Sequence, residues 1–385
     1  MDNPYVYLDY AASAPLRPCA WQALADYRQQ DYSHANPNSL HSQGREVAKV
    51  MERSRKVLAR SMGNGFRPQE VIFTSGGTES NNLAVFGLAE GMKRHHPNRS
   101  RVLISAIEHD SVLDLVGPLK DRGFQVELLR PGKDGAISRH VLAQALGDDV
   151  ALVSIMYANN ETGVINPIAE LSRLTKAAGA QMHTDAIQAF GHVPVDVGVC
   201  DAVSVASHKI GGPVGVGALF LRRGALYRNQ VFGGGQELGR RPGTQDVAGI
   251  VGFVAAVEEV MNGLPQTRSQ VEARATHVYQ RLTTQSSHIV PTTTATAQGK
   301  LPGVVSIMCD NMDSQTLLLK LDEAGFAVSI GSACASSSLA PSHVLSAMGI
   351  SSKLSYGALR ISFDERVSLE DLDRFCNALL NIVEN

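Results

Sequence analysis

The sequence is short of cysteine, of net charge and of long apolar runs. Its five cysteines are an odd number, lie far apart and include no Cys-x-x-Cys pair, which argues against a disulfide framework and a zinc site. They fit reduced thiols better: Cys19, Cys200, Cys309, Cys334 and Cys376. A formal charge of −2 argues against direct binding to nucleic acid.

The start of the chain also lacks a targeting signal. Residues 1–10 contain Asp2 and Asp9 but no basic, apolar leader, and no apolar run in the sequence reaches the length of a membrane span. We therefore expect a soluble, cytoplasmic protein that does not bind a membrane. The chain has 385 residues, of which 44% are hydrophobic, and this is enough for two domains with a large core.

One lysine stands out between Asp201 and Phe220. Lys209 follows an alternating run of small and β-branched residues, 202–206, and precedes a segment rich in glycine, 211–217. This pattern predicts a strand, a tight turn and a second strand, with the lysine at the end of the first strand. A desolvated amine at that place suits Schiff-base chemistry, although a solvated lysine at a strand end would give the same pattern.

A second stretch, residues 71–86, predicts a strand, a polar turn and a helix. The turn contains Gly76, Gly77 and Thr78, so the free backbone N–H groups at the start of the helix could bind a phosphate together with the Thr78 hydroxyl. An ordinary capped turn is the alternative. The spacing differs from that of dinucleotide and nucleoside-triphosphate sites.

Further polar residues follow other predicted strands. Strands alternate with helices along the chain, which predicts an α/β layer with a mostly parallel sheet, and such sheets bind ligands at the carboxyl ends of their strands. The polar residues at these ends should therefore converge: His109, Asn160, Asp185, Gln188 and Lys209. They match the needs of pyridoxal phosphate (PLP), which are a lysine for its aldehyde, a carboxylate for its ring nitrogen, donors for its phenolate oxygen and an anion site for its phosphate.

These residues lie in stretches that make the chain similar to the group I cysteine desulfurases, which are fold-type I PLP enzymes of the class V aminotransferase superfamily. The stretches are 7–12, 36–37, 74–82, 108–109, 159–163, 183–188, 207–209, 233–237, 241–244 and 331–334. The resemblance implies a large PLP-binding domain (residues 16–260) with a mostly parallel seven-stranded sheet and a smaller α+β domain (1–15 and 261–385). It also implies a homodimer, PLP as cofactor and L-cysteine as substrate.

The resemblance gives each matching residue a role around the cofactor ring. Lys209 would form the Schiff base, His109 would stack on the ring and shuttle protons, and Asp185 would pair with the ring nitrogen. Gln188 and Asn160 would lie near the phenolate oxygen.

The resemblance also implies residues for the phosphate and the substrate. The phosphate would be held by Gly77, Thr78, Ser207, His208 and, across the dimer interface, the partner subunit's Thr244. Arg360 would bind the substrate carboxylate, a task that suits a guanidinium, with Asn36 and Asn160 also contacting the substrate.

Two positions depart from the family pattern. The family has a phosphate-binding serine three residues before the lysine, where this chain has Ala206. Either Ser207 replaces that serine through a local shift or a phosphate contact is lost. The family also often has a lysine at the position of Val214, and we attach no function to that change.

Cys334 decides the reaction that the resemblance implies. It lies in a run of small residues, 331–338, where a thiol has little to pack against. A mobile, exposed thiol suits attack on the sulfur of PLP-bound cysteine, which leaves alanine and a persulfide on Cys334. The sulfur would pass to an acceptor protein in iron–sulfur cluster assembly or nucleic-acid thiolation. The alternatives are a selenocysteine lyase, another class V aminotransferase and a non-catalytic binding protein.

Overall fold

The computed structural model describes residues 5–294, 299–330 and 341–384 of the chain. Within them, strands form three sheets and helices cover these sheets. The strands are β1 (Val6–Tyr7), β2 (Val71–Thr74), β3 (Arg101–Ser105), β4 (Gln125–Leu129), β5 (Val150–Ser154), β6 (Gln181–Asp185), β7 (Ala202–Ala206), β8 (Gly217–Leu221), β9 (Ile289–Pro291), β10 (Val304–Cys309), β11 (Phe326–Ala327) and β12 (Ala358–Ser362). The helices are α1 (Pro18–Arg28), α2 (Ser42–Ser61), α3 (Gly77–His95), α4 (Asp110–Leu113), α5 (Val116–Asp121), α6 (Arg139–Ala145), α7 (Ile168–Ala177), α8 (Val247–Gln285), α9 (Ser314–Glu323), α10 (His343–Ala347), α11 (Ser352–Ser355) and α12 (Leu369–Glu384).

The largest sheet has seven strands in the order β2-β8-β7-β6-β5-β3-β4. Only β8 runs antiparallel to its neighbours, and the strands from β7 to β4 are parallel. Helix α3 packs on one face, while α7 and the first half of α8 pack on the other. The inner strands are therefore buried on both faces, which explains their nearly continuous small and apolar sequences. The predicted α/β fold of type I with a mostly parallel seven-stranded sheet is confirmed.

A second apolar core surrounds the three-stranded antiparallel sheet of order β12-β10-β9. Helices α9 and α12 and the end of α8 fill this core, together with Val6 and Leu8 from the start of the chain. Strand β1 pairs in parallel with β11, so that Val6 is the partner of Phe326. The predicted boundary after residue 260 falls inside α8, which is continuous from Val247 to Gln285. The division into two domains stays a prediction.

Helix α8 corrects one expectation from the sequence. By length and composition this helix could cross a membrane. The expectation that no apolar run reaches the length of a membrane span is therefore wrong. In the structure, 61% of its most apolar window is buried inside the protein. This apolar face packs against α1, α2 and the large sheet, which explains why a helix this apolar belongs to the core.

Candidate active site

A cavity of about 210 Å³ opens at the carboxyl ends of β3, β5, β6 and β7. Parallel strands bring residues that are far apart in the sequence to this one edge of the sheet. The predicted site residues that line the cavity are Gly77, Thr78, His109, Asn160, Asp185, Gln188, His208, Lys209 and Arg360. The fold therefore brings most of the predicted set together.

Lys209 lies in a short 3-10 helix, Ser207–Ile210, that follows β7 and ends at Gly211 in the left-handed region (φ 78°). Its Nζ donates to the carbonyl oxygens of Ala11 (2.7 Å) and Ala12 (2.8 Å). These two residues belong to residues 9–14, which we call the N-terminal strap. The amine is thus held in the cavity wall by backbone from the other end of the chain.

The strap makes two further contacts next to Lys209. The Ala11 carbonyl also accepts a hydrogen bond from Nε2 of Gln188 (2.9 Å), and the backbone N–H of Ala14 donates to the carbonyl of His208 (3.0 Å). Burial, and then the charge of Lys209, lower the pKa of His208 to about 4. His208 is therefore neutral at pH 7, so one ring nitrogen can donate a hydrogen bond and the other can accept one.

Asp185 ends β6 and is buried at the floor of the cavity. Its Oδ2 accepts from Nδ2 of Asn81 (2.7 Å), and its Oδ1 accepts from the backbone N–H of Ile187 (2.9 Å). Burial raises the pKa of Asp185, while these hydrogen bonds and the nearby charges of His109 and Lys209 oppose that rise. The two donors fix the orientation of the carboxyl group.

A hydrogen-bond chain joins Asp185 to His109. Asn81 also donates from Nδ2 to the Ser111 hydroxyl (2.8 Å), which lies 3.0 Å from Nδ1 of His109. Nδ1 accepts from the backbone N–H of Ser111 (3.0 Å) and so caps α4. In the neutral ring the proton must therefore be on Nε2. The sequence prediction included neither Asn81 nor Ser111.

The start of α3 lies at the cavity and is suited to binding an anion. Thr78 lies in the first turn of this 19-residue helix, where backbone N–H groups have no partner inside the helix. A Cβ atom at Gly77 would lie 2.2 Å from Cδ1 of Ile187, another residue of the cavity wall. Glycine therefore permits the close approach of the helix to this wall, and a larger residue would require the Ile187 side chain to move.

Arg360 enters the cavity from β12, and its side chain is almost completely buried. Its Nη1 donates to the carbonyl oxygen of Asn160 (2.8 Å), and its Nη2 forms an ion pair with Oδ1 of Asp9 (2.7 Å). The guanidinium is therefore fixed on the side of the cavity that belongs to the second core. A fixed guanidinium suits the binding of a carboxylate.

Two more buried carboxyl groups lie in or next to the cavity wall, and the sequence prediction assigned neither of them. Glu161 is buried in the cavity wall and accepts a hydrogen bond from the Ser342 hydroxyl, and burial raises its pKa. Glu108 is completely buried, and its Oε1 accepts from the backbone N–H of Met156. Burial, and then the charge of Asp185, raise the pKa of Glu108 well above its usual value. Its Oε2 has no hydrogen-bond partner among the described residues.

We expect the substitution Glu108→Gln to stabilise the protein at pH 8 by about 1–3 kcal/mol, because it removes a carboxyl group that burial keeps protonated in the folded protein at a pH at which the unfolded chain ionises it. A carboxyl whose pKa is raised in the folded state destabilises that state as the pH rises above the unfolded-state value. The gain should therefore shrink as the pH falls towards 4.5 and vanish below it. Thermal unfolding of both proteins between pH 4 and pH 8 measures this difference.

Glu258→Gln is the matched control for this prediction, since Glu258 is exposed on α8. It should shift the unfolding temperature little at any pH. A Glu108→Gln effect that is independent of pH, or a loss of stability at pH 8, would contradict a neutral buried carboxyl group at residue 108.

Four predicted site residues are not part of the described cavity wall. Asn36 is exposed, and its Oδ1 accepts from the backbone N–H of Asn38 (2.9 Å) in its own turn. Thr244 is exposed beside Arg241, in a separate shallow pocket. Cys334 lies outside the described residues.

Ser207 is the fourth, and its placement argues against the predicted contact with a phosphate. Ala206 lines the cavity, whereas the next side chain along the chain points to the opposite side. The Ser207 hydroxyl is buried against Gly212, where an added Cβ would lie 2.2 Å from it. The cavity therefore has a methyl group at residue 206 in place of a hydroxyl, and Ser207 does not line it.

The residues of the cavity fit PLP in their chemistry. A lysine amine, a buried carboxyl group with a fixed orientation and a helix start with a glycine at its first residue lie around one cavity. These are the groups that would hold the aldehyde, the ring nitrogen and the phosphate of the cofactor. The arrangement is suited to amino-acid chemistry with a carboxylate bound at Arg360.

Comparisons with known proteins agree with this site. The family model described as Aminotransferase class-V matches residues 6–375. The chain is 37% identical to the cysteine desulfurase IscS of Dictyoglomus turgidum, over 98% of this chain and 94% of that protein. It is 40% identical to an IscS-like cysteine desulfurase of Mycobacterium tuberculosis, over 95% and 93%. A solved structure called a NifS-like protein superposes with a TM-score of 0.89 at 31% identity and covers 99% of both chains.

Proposed function

The chain belongs to the class-V aminotransferase family, and on that premise we propose that it is a PLP-dependent cysteine desulfurase. It converts L-cysteine to L-alanine and keeps the sulfur as a persulfide on Cys334. The sulfur then passes to an acceptor protein for iron–sulfur cluster assembly or nucleic-acid thiolation. The observation that carries the proposal is the placement of Lys209, Asp185 and Arg360 around one cavity, in a chain whose curated relatives are named cysteine desulfurases.

The residues of the cavity have different roles in the proposed reaction. Lys209 would hold the cofactor covalently, and the start of α3 with Thr78 and His208 would bind its phosphate. When bound, PLP supplies an electron sink that weakens the bonds at the substrate's α-carbon. The buried Asp185 would keep the ring nitrogen protonated, and His109 could donate or accept a proton at Nε2. Arg360 orients the substrate through its carboxylate.

The direct test is an assay of the purified protein with L-cysteine. A yellow protein that releases alanine and, with a reductant, sulfide in equal amounts supports the proposal. Selenocysteine as a parallel substrate separates a desulfurase from a selenocysteine lyase. Transamination of small amino acids without release of sulfur would replace the proposal with another activity of the family.

A cytoplasmic location is also proposed. It is supported by the state of the cysteines that the structure describes, all of which are free thiols: Cys19, Cys200, Cys309 and Cys376. Reduced thiols are typical of the cytoplasm.

We further propose that the protein is a homodimer with its sites at the interface. The segment 231–244 exposes Phe232 and Leu238, which are 81% and 70% exposed in the single chain. Glu237 and Leu238 both have positive φ angles (51° and 57°), which cost free energy in residues other than glycine. The buried Glu237 carboxylate holds this turn in place by accepting from both terminal nitrogens of Arg55. The backbone of Leu238 is strained, and yet its apolar side chain is exposed. This favours a partner protein that covers the surface.

Sedimentation of the purified protein should therefore show a dimer at micromolar concentration, and the double substitution of Phe232 and Leu238 by aspartate should shift it towards the monomer. Activity should fall with dimer content, because Thr244 does not line the cavity of its own chain. Leu319, which is 66% exposed on α9, offers a control substitution to aspartate that should leave the dimer intact. A fully active monomer would refute this proposal.

A further inference from the structure

The ion pair between Asp9 and Arg360 joins the N-terminal strap to the substrate side of the cavity. Oδ1 of Asp9 lies 2.7 Å from Nη2 of Arg360, and both side chains are largely buried, with 19% and 2% of their surface exposed. The carbonyl of Asn160 accepts from the other terminal nitrogen, Nη1. The charge of Arg360 is therefore already balanced before any substrate carboxylate arrives.

The charges around the cavity leave little capacity for a second anion. Among the described residues that line the cavity, Lys209 and Arg360 are the only lysine or arginine side chains, and the proposed cofactor uses Lys209. The same wall carries three carboxyl groups: Asp110, Glu161 and Asp185. The carboxylate of an amino-acid substrate has to share Arg360 with Asp9.

We infer that Asp9 is a specificity-determining residue, which restricts the site to amino acids with an uncharged side chain. The inference rests on the proposed function, in which Arg360 binds the substrate's α-carboxylate. When a substrate binds, its α-carboxylate and the carboxylate of Asp9 both lie next to the single guanidinium of Arg360. These two negative charges already exceed the one positive charge. A second carboxylate on the substrate finds no further lysine or arginine among the described residues of the wall to balance it, and its repulsion by Asp9 is only weakly screened in a partly buried site.

L-asparagine and L-aspartate are the probes, since they share a shape and differ by one charge. Calorimetry on the holoenzyme without cysteine gives a dissociation constant for each. We expect the wild-type protein to bind asparagine more tightly than aspartate. Asp9→Asn keeps an oxygen that can accept from Arg360. In this variant the dissociation constant of aspartate, divided by that of asparagine, should fall by about tenfold.

Two further variants separate charge from structure. Asp9→Glu keeps the charge and should keep the wild-type ratio. Asp364→Asn removes the carboxylate of another buried pair, the one with Arg17, which does not line the cavity. It should also keep the ratio, although it can lower the unfolding temperature. If Asp9→Asn does not fold, Asp9→Ser repeats the measurement with a hydroxyl as the acceptor for Arg360.

Each outcome bears on the inference. A tenfold shift of the ratio in Asp9→Asn alone supports it, whereas an unchanged ratio, or an equal shift in Asp364→Asn, overturns it. The readout is binding, so the shift can be observed even if cysteine is not turned over, in which case only the proposed reaction fails. An unchanged ratio in an enzyme that desulfurates cysteine overturns the role of Asp9 alone. No binding of either amino acid to the wild-type protein overturns the role of Asp9, and the cysteine assay then decides the proposed function by itself.

Discussion

Lys209→Ala is expected to lose the yellow absorption band and to lower the rate of alanine formation from cysteine by about a thousandfold or more. Among the described residues that line the cavity, Lys209 carries the only primary amine. Without it the aldehyde of PLP has no side chain to bond with. The fold should survive, because the two partners of Nζ are backbone carbonyls at the cavity, where water can replace the amine. Absorption spectra and an alanine assay measure the two losses.

Two lysine variants serve as controls. Lys209→Arg keeps a cation for the carbonyls of Ala11 and Ala12 but cannot form a Schiff base, so it should be as inactive as the alanine variant. Lys300 is partly buried and stacks on Tyr279, with its Nζ 4.1 Å from the ring centroid. Lys300→Ala should keep the absorption band. Normal turnover in Lys209→Ala would remove the basis of the proposed function.

The second large effect is expected from Cys334→Ser, which should keep the PLP band and still show a spectral change with cysteine, but form neither alanine nor persulfide at a measurable rate. A hydroxyl is hardly ionised at neutral pH, so serine cannot replace the attacking thiolate. The cysteines within the described residues are poor substitutes, since burial raises their pKa: to about 11 for Cys19 and Cys376, to about 12 for Cys309, and further for Cys200.

Cys19→Ser provides the matched control, because Cys19 is the least buried of these four thiols. It should desulfurate cysteine at the normal rate. Mass spectrometry after one turnover should find the extra sulfur on Cys334 in the wild-type protein. If Cys334→Ser makes alanine at the wild-type rate, the reaction needs no thiol at this position, and the assignment moves towards a lyase.

The inner strands of the sheet could be predicted closely from the sequence, and the helices less so. The run 202–206 is observed as β7 with the same limits. Its small and β-branched residues alternate, Asp201 precedes it and a segment rich in glycine follows it, which is a pattern typical of a strand. Helix α8 shows the limit of such patterns. Its apolar surface packs against several elements at once, and that packing depends on the whole fold rather than on the local sequence.

The candidate site shows a similar division. Residue type and family resemblance were enough to predict Lys209, Asp185 and Arg360 as site residues. They did not predict the groups that hold these side chains in place. Asn81 and Glu108 lie inside the quoted stretches, but their roles depend on which atoms meet across the sheet edge. The choice between the two alternatives for Ser207 also needed the structure, since a shift of one residue reverses the side to which a side chain points.

The N-terminal strap also sets the order in which a working site can be assembled during synthesis. Strands β2 to β8 lie within residues 71–221, so the large sheet is complete in the nascent chain long before translation ends. The strap precedes this sheet in the chain, but its backbone binds Ser362 at Tyr10, and its Asp9 binds Arg360. A chain that stops before β12 would therefore contain Lys209 and Asp185 but lack the strand that secures the strap and the guanidinium proposed to bind the substrate. The newly made protein should therefore stay without activity until β12 has emerged.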